Sequence, residues 1–157
     1  MLGHITILLM VTANGDYMPS LFILPLKNLP RNLDSMVAAG QIYVSGQKCG
    51  WITMETFLAW SKIFVKWVKD RRSNLKLPQE SPFLLFLDNH SSRASIETLQ
   101  FLKDDHICVV SYPSHCSHLL QPLDVAVFGQ FKKHFKLEKR SMSKVEIVWE
   151  GEKDPSQ

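Results

Sequence analysis

The sequence predicts an α/β fold. Three observations carry that expectation. Two apolar, β-branched segments near the N-terminus flank Asn14-Gly15. Two uninterrupted apolar runs, Phe83–Leu87 and 107–110, flank a short amphipathic stretch. Longer amphipathic stretches lie before and after that pair. Alternation and β-branching favour strands, whereas a run apolar at every position suits a strand covered on both faces, as in a parallel sheet. Apolar residues recurring every three or four positions mark a helix with one buried stripe.

In chain order, 5–13 and 20–24 read as an antiparallel hairpin turning at Asn14-Gly15. Pro25, Pro30 and Asn32 punctuate 25–40 as loop, and 41–45 is a short strand. Thr53 is placed to cap a helix ending near 70–72. On it Phe57, Trp60, Phe64, Trp67 and Val68 share one stripe, and Lys62, Lys66 and Lys69 lie opposite. Trp51, Phe57, Trp60 and Trp67 are read together as core rather than as a base-stacking platform. Phe83–Leu87 then reads as a strand buried on both faces. Ser91 or Ser92 caps a helix with Ile96, Leu99 and Leu102 on one face, and 107–110 is a second buried strand. Strand, helix and strand make a βαβ unit with a right-handed crossover. A loop over 111–122 leads to a last helix from Leu123 to about Arg140. Residues 1–140 are expected to form one domain and 141–157 a polar, charged tail with an apolar patch at Val145 and 147–149.

Composition bounds the function only loosely. The chain has 157 residues, 45% apolar and 21% charged, so a sizeable core is affordable and disorder is not expected. Eighteen basic against fifteen acidic residues leave a net charge of +3, compatible with a nucleic-acid partner without arguing for one. Cys49, Cys108 and Cys116 have no framework spacing and read as free thiols in a reducing compartment. The run from Ile5 to Val11 lacks a basic leader and runs into a turn, so it is read as a strand rather than a secretory signal. No apolar run approaches a membrane span, and the protein is expected to be soluble and intracellular. His106, Cys108, His115, Cys116 and His118 raise a zinc question, but they lack C-x-x-C or H-x3-H spacing, and Cys108 falls in a strand expected to be buried.

Two carboxylates stand out. Asp88 follows a strand of the kind whose carboxyl end borders ligand sites in parallel sheets. It either caps the turn or offers an oxygen ligand to a hard cation. Asp124 shares a helical face with Phe128, Phe131 and Phe135 at spacings of 4, 3 and 4. Burying those rings against the sheet would aim Asp124 at the edge where Asp88 emerges. The alternative is an acid that merely complements the helix dipole. On the outer side of the same helix Lys132, Lys133, Lys136, Lys139 and Arg140 form either a solvated face or a phosphate contact.

The blocks Leu87-Asp88-Asn89 and His118-Leu119-Leu120-Gln121-Pro122-Leu123-Asp124-Val125, 124 − 88 = 36 positions apart in their acids, resemble the DDE superfamily endonuclease domain. The nearest flavour is the pogo, Tigger and jerky branch of mariner-like transposases. The hairpin over 6–19 and Gly50-Trp51-Ile52-Thr53 with Phe57 and Trp60 are similar to further family segments, so the likeness spans roughly 4 to 140.

That resemblance implies an RNase H-like mixed sheet with flanking helices. It also implies three carboxylates holding two divalent cations, Mg²⁺ or Mn²⁺, that drive DNA cleavage and joining. Asp88 matches the second acid and Asp124 the third. It implies DNA as partner and the nucleus as location, with Lys132, Lys133 and Lys136 as phosphate contacts. The family's first acid lies on a central strand just before the hairpin, and no acid here fits it: Asp16 is in the hairpin turn and Asp34 in a Pro-punctuated loop. The expectation is a transposase-derived, nucleic-acid-binding domain lacking that strand and inactive by itself, prone to self-association through the unpaired sheet edge. An active endonuclease drawing its first acid from outside these residues, and an unrelated α/β protein, are the rival readings.

Overall fold

The computed structural model describes residues 4–26, 28, 37–88, 95–113 and 120–142, with backbone alone at 124 and 139–142. The chain divides into two compact units, Met1–Ser117 and His118–Gln157.

The first unit begins with the predicted hairpin. β1 (Thr6–Val11) pairs antiparallel with β2 (Tyr17–Leu24). The turn is longer than a two-residue Asn-Gly hairpin. Thr12 N donates to the Asp16 carbonyl at 2.8 Å, Gly15 N donates to the Thr12 carbonyl at 3.0 Å, and Gly15 takes φ +89. The register slips between Leu8 and Met10, where β2 carries one residue more than β1. That extra residue falls at Pro19-Ser20, and proline has no N–H for the ladder, so a bulge there costs little. β3 (Ile42–Gly46) adds in parallel to β2, giving the order β1-β2-β3.

α1 (Met54–Asn74) starts as predicted, with the Thr53 hydroxyl accepting from Thr56 N at 3.2 Å. It runs past the expected stop near 70–72. Its end is made by Lys76 at φ 54, with Leu77 N donating back to the Arg72 carbonyl at 2.8 Å. Phe57, Trp60, Phe64, Val65 and Val68 are buried, while Lys62, Lys66 and Lys69 are exposed, as the periodicity required.

The βαβ unit follows: β4 (Phe83–Leu87), α2 (Ile96–Asp104) and β5 (Ile107–Ser111), with β4 and β5 parallel. Three expectations need correction. β4 is buried on one face only: Leu85 and Leu87 are buried, but Leu84 and Phe86 are 58% and 52% exposed. Cys108, paired in register with Leu84, is exposed too, so the sheet has one open face among the described residues. α2 is capped by Ser95, whose hydroxyl accepts from Thr98 N at 3.2 Å, and it buries Thr98 and Leu102 while Ile96 is 86% exposed. Ser91 and Ser92 lie outside the described residues, and Ile96, at the first position of the helix, is not covered by the core that takes Leu102.

Both sheets share one core beneath α1, in which Leu8, Met18, Leu21 and Ile23 join Leu85, Leu87, Leu102 and Ile107. The ends of this layer are distinct. At the end of α1, Arg71 pairs with Asp16 in the hairpin turn. There too Arg72 Nη2 donates to the carbonyls of Ser81 at 2.7 Å and Asp105 at 3.0 Å, just before β4 and β5. At the start of α1, Gln47 N reaches the carbonyl of Leu24, the last residue of β2, at 2.9 Å, and Gln47 Nε2 reaches Thr56. β2, β4 and β5 therefore begin at the first end and direct their carboxyl ends toward the second.

The second unit holds a π-helical segment (Leu123–Val127) continuing into α3 (Phe128–Met142). The predicted helix is present, but its first turn is wide rather than α-helical. Within this unit Phe131 and Phe135 are left 38% and 54% exposed and stack on each other with centroids 6.1 Å apart, while Phe128 is half-buried.

Candidate active site

Asp88 is the first residue past β4, at the carboxyl end of a parallel strand. The ladder extends just beyond it, with Tyr112 N donating to the Leu87 carbonyl at 3.0 Å. Its residue is half-buried. This is the position at which open α/β sheets meet their ligands, and a carboxylate there is a hard oxygen donor suited to a divalent cation. Asn89 and His90, the rest of its motif, lie outside the described residues, as do His115, Cys116 and His118.

Asp124 is the second residue of the π-helical segment, which Pro122 precedes, and Val125 N donates to the Gln121 carbonyl at 3.1 Å. π-turns inside helices concentrate at functional positions, which sequence periodicity cannot detect. The side chain of Asp124 lies outside the described ones, so the face it shares with Phe128 stays an expectation. Asp88 belongs to the first unit and Asp124 to the second. Lys132, Lys133 and Lys136 are exposed on α3, and the side chains of Lys139 and Arg140 lie outside the described ones.

The fit to a divalent cation can be judged on this chain's donors. Asp88 has the right chemistry and place, and the side chain of Asp124 lies outside the described ones. No three His, Cys, Asp or Glu residues stand close enough to hold a metal among the described residues. Asp16, the nearest acid to Asp88 in the hairpin region of the sequence, pairs with Arg71 at the opposite end of the layer. Asp34 lies outside the described residues.

Two features were missed from the sequence. Trp51, expected in the core, is 57% exposed and stacks on His4 with centroids 3.8 Å apart. No sequence signal marks it, because it precedes the helix whose periodicity it was grouped with. Arg72 is 3% exposed and ties three segments together through its guanidinium. Its place on the apolar side of α1, four residues after Val68, was a readable sign.

Among proteins of known annotation, the chain is 32% identical over 89 residues to a protein named MFS-type transporter clz9 from Cochliobolus lunatus. The match takes in 57% of this chain and 9% of that protein. No helix among the described residues is long and apolar enough to cross a membrane. No solved structure matches. Residues 3–146 match the DDE superfamily endonuclease family. With nearly its whole length matched, including both acids and the segments around them, the chain belongs to the DDE superfamily endonucleases.

Proposed function

We propose that this chain is a transposase-derived DNA-binding domain of the pogo, Tigger and jerky type, acting in the nucleus, with Asp88 and Asp124 as its carboxylate ligands for Mg²⁺ or Mn²⁺. The reading is supported by a family match over 3–146 together with an acid, Asp88, at the carboxyl end of β4. A divalent cation held there would polarise a phosphate oxygen and favour hydroxide over water as nucleophile. The chain's own part is to offer Asp88 and Asp124 as hard oxygen donors. Lys132, Lys133 and Lys136, exposed along α3, would neutralise backbone phosphates. Strand cleavage would wait on a third carboxylate, since the two-metal arrangement needs a bridging acid and Asp16 is committed to Arg71 at the far end.

Two measurements test this. Duplex DNA should bind with an affinity that falls steeply with salt. Converting Lys132, Lys133 and Lys136 to Ala should flatten the slope by about 0.9 per lost phosphate contact. The purified chain should show little or no nicking in Mg²⁺ or Mn²⁺. Robust cleavage that Asp88→Ala abolishes would replace the binding-module reading with that of an active endonuclease. Salt-independent or undetectable DNA binding would remove both.

A further inference from the structure

The end of the first unit that carries Asp88 also carries an aromatic pair the core does not use. The rings of His4 and Trp51 stack with centroids 3.8 Å apart and planes 14° apart, and both residues are exposed. The backbone beneath them is pinned. Gly50 is buried at φ +68, and its carbonyl accepts from Thr6 Oγ1 at 2.8 Å. Gly50 N donates to the Gln47 carbonyl at 2.9 Å, closing the turn, and a methyl at position 50 would overlap the His4 carbonyl. The start of β1 and the turn before α1 are thus pressed together, which sets the two rings in place. Lys48 is exposed on the same turn.

Leaving an indole more than half exposed forgoes burial that other aromatics of this chain achieve, such as Trp60 at 3% and Phe64 at 0%. A flat, rigid π-face beside a cation matches one ligand chemistry closely: a base stacks on the ring while the neighbouring phosphate meets the ammonium. We propose that His4 and Trp51 form a stacking platform for an unpaired nucleobase, with Lys48 on the adjoining phosphate, at the same end of the sheet as Asp88. The proposal rests on the DNA-binding reading above. A duplex hides its base faces, so the platform acts on single-stranded or extruded nucleotides and leaves paired DNA to other contacts.

The test compares a fluorescein-labelled oligothymidylate with a blunt duplex at one fixed ionic strength, using the full chain, Trp51→Ala and Trp51→Phe. Trp51→Ala should weaken oligothymidylate binding about tenfold, Trp51→Phe should restore most of it, and duplex affinity should not move. Oligothymidylate should also quench part of the wild-type tryptophan emission, and that part should vanish in Trp51→Phe, a readout that survives if Trp51→Ala does not fold. An equal loss on both DNA forms, or no loss and no quenching, overturns the platform. If the wild-type chain binds duplex but not oligothymidylate, the platform falls alone. If it binds neither, the DNA reading falls with it.

Discussion

Arg72 concentrates in one side chain what holds the first unit's lower end together. Its guanidinium is buried and donates to Ser81 and Asp105 carbonyls, with a longer contact to His106 at 3.5 Å. Those carbonyls terminate the segments entering β4 and β5, so the parallel pair is anchored to α1 through it. Charge-assisted bonds of this kind contribute roughly 1.5–3 kcal/mol each, and truncation also strands their acceptors. Arg72→Met should therefore cost about 3–5 kcal/mol in urea unfolding, a large share of a domain's stability. Arg72→Lys should recover only part, because its more strongly hydrated ammonium is costlier to bury and its shorter stem ends before the place Nη2 occupies. A loss below ~1 kcal/mol would mean that water substitutes for the clamp. Gly50 is the complementary case, where absence of a side chain matters. At φ +68, with the His4 carbonyl where a Cβ would stand, Gly50→Ala must displace the start of β1. Proton exchange measured residue by residue should show the β1 amides losing protection before those of β4.

At the scale of elements, α1 is stabilised at its start by local chemistry that titrates. The Thr53 hydroxyl caps the helix, and Thr53→Ala should cost about 1 kcal/mol. The Glu55 carboxyl is held below its ordinary value of 4.5, first by a hydrogen bond from its own backbone N–H and then by the Thr53 side chain. A depressed acid contributes stability that is present above its unfolded value and is lost as pH falls through its folded one. The difference between wild type and Glu55→Gln should accordingly be visible at neutral pH and close on acidification below the carboxylate range. A difference that grows in acid would contradict this origin. β4 offers a sharper contrast within five residues. Leu85→Ala should cost about 2–4 kcal/mol, whereas Leu84→Thr, on the open face, should stay within about 0.5 kcal/mol. That contrast also marks where sequence reading stops. Phe83–Leu87 was legible as a strand because nothing polar interrupts it, and α1 was legible because its stripe and cap agree. What an apolar run cannot tell is whether a second layer exists to cover its other face. Leu84, Phe86, Phe131 and Phe135 were all assigned to interiors that their own units do not supply. The carboxyl-end position of Asp88 was readable from local order, since it needs only the end of one strand. The exposure of Trp51 was not, since it depends on a contact with His4 forty-seven positions away.

For the molecule as a whole, four strands stand at sheet edges among the described residues, β1 and β3 in one sheet and β4 and β5 in the other, and β1 and β4 are the two of interest. Among the described residues β1 pairs only with β2, and β4 only with β5. β2 and β4 both begin at the end of the layer marked by Arg71 and Arg72, and β1 runs against β2, so β1 and β4 run in opposite senses. Neither carries the devices that blunt exposed edges. Thr6–Val11 reads TILLMV and Phe83–Leu87 reads FLLFL, without a lysine or a proline in either. An edge strand presents a row of unpaired N–H and C=O groups that can template pairing with a strand from another chain. The expected consequence is self-association: sedimentation of the 157-residue chain should show a mean mass that rises with concentration. Ile5, just before β1, and Val11, its last residue, are 39% and 43% exposed, so a charge there should change folding stability by no more than about 0.5 kcal/mol but should repel an incoming strand. Ile5→Lys with Val11→Lys should therefore move association to higher concentration while the urea midpoint hardly shifts. A wild-type chain that sediments as a monomer at every concentration, and unfolds in one cooperative step with the ~5–15 kcal/mol usual for a domain, would show that these edges are satisfied within the chain.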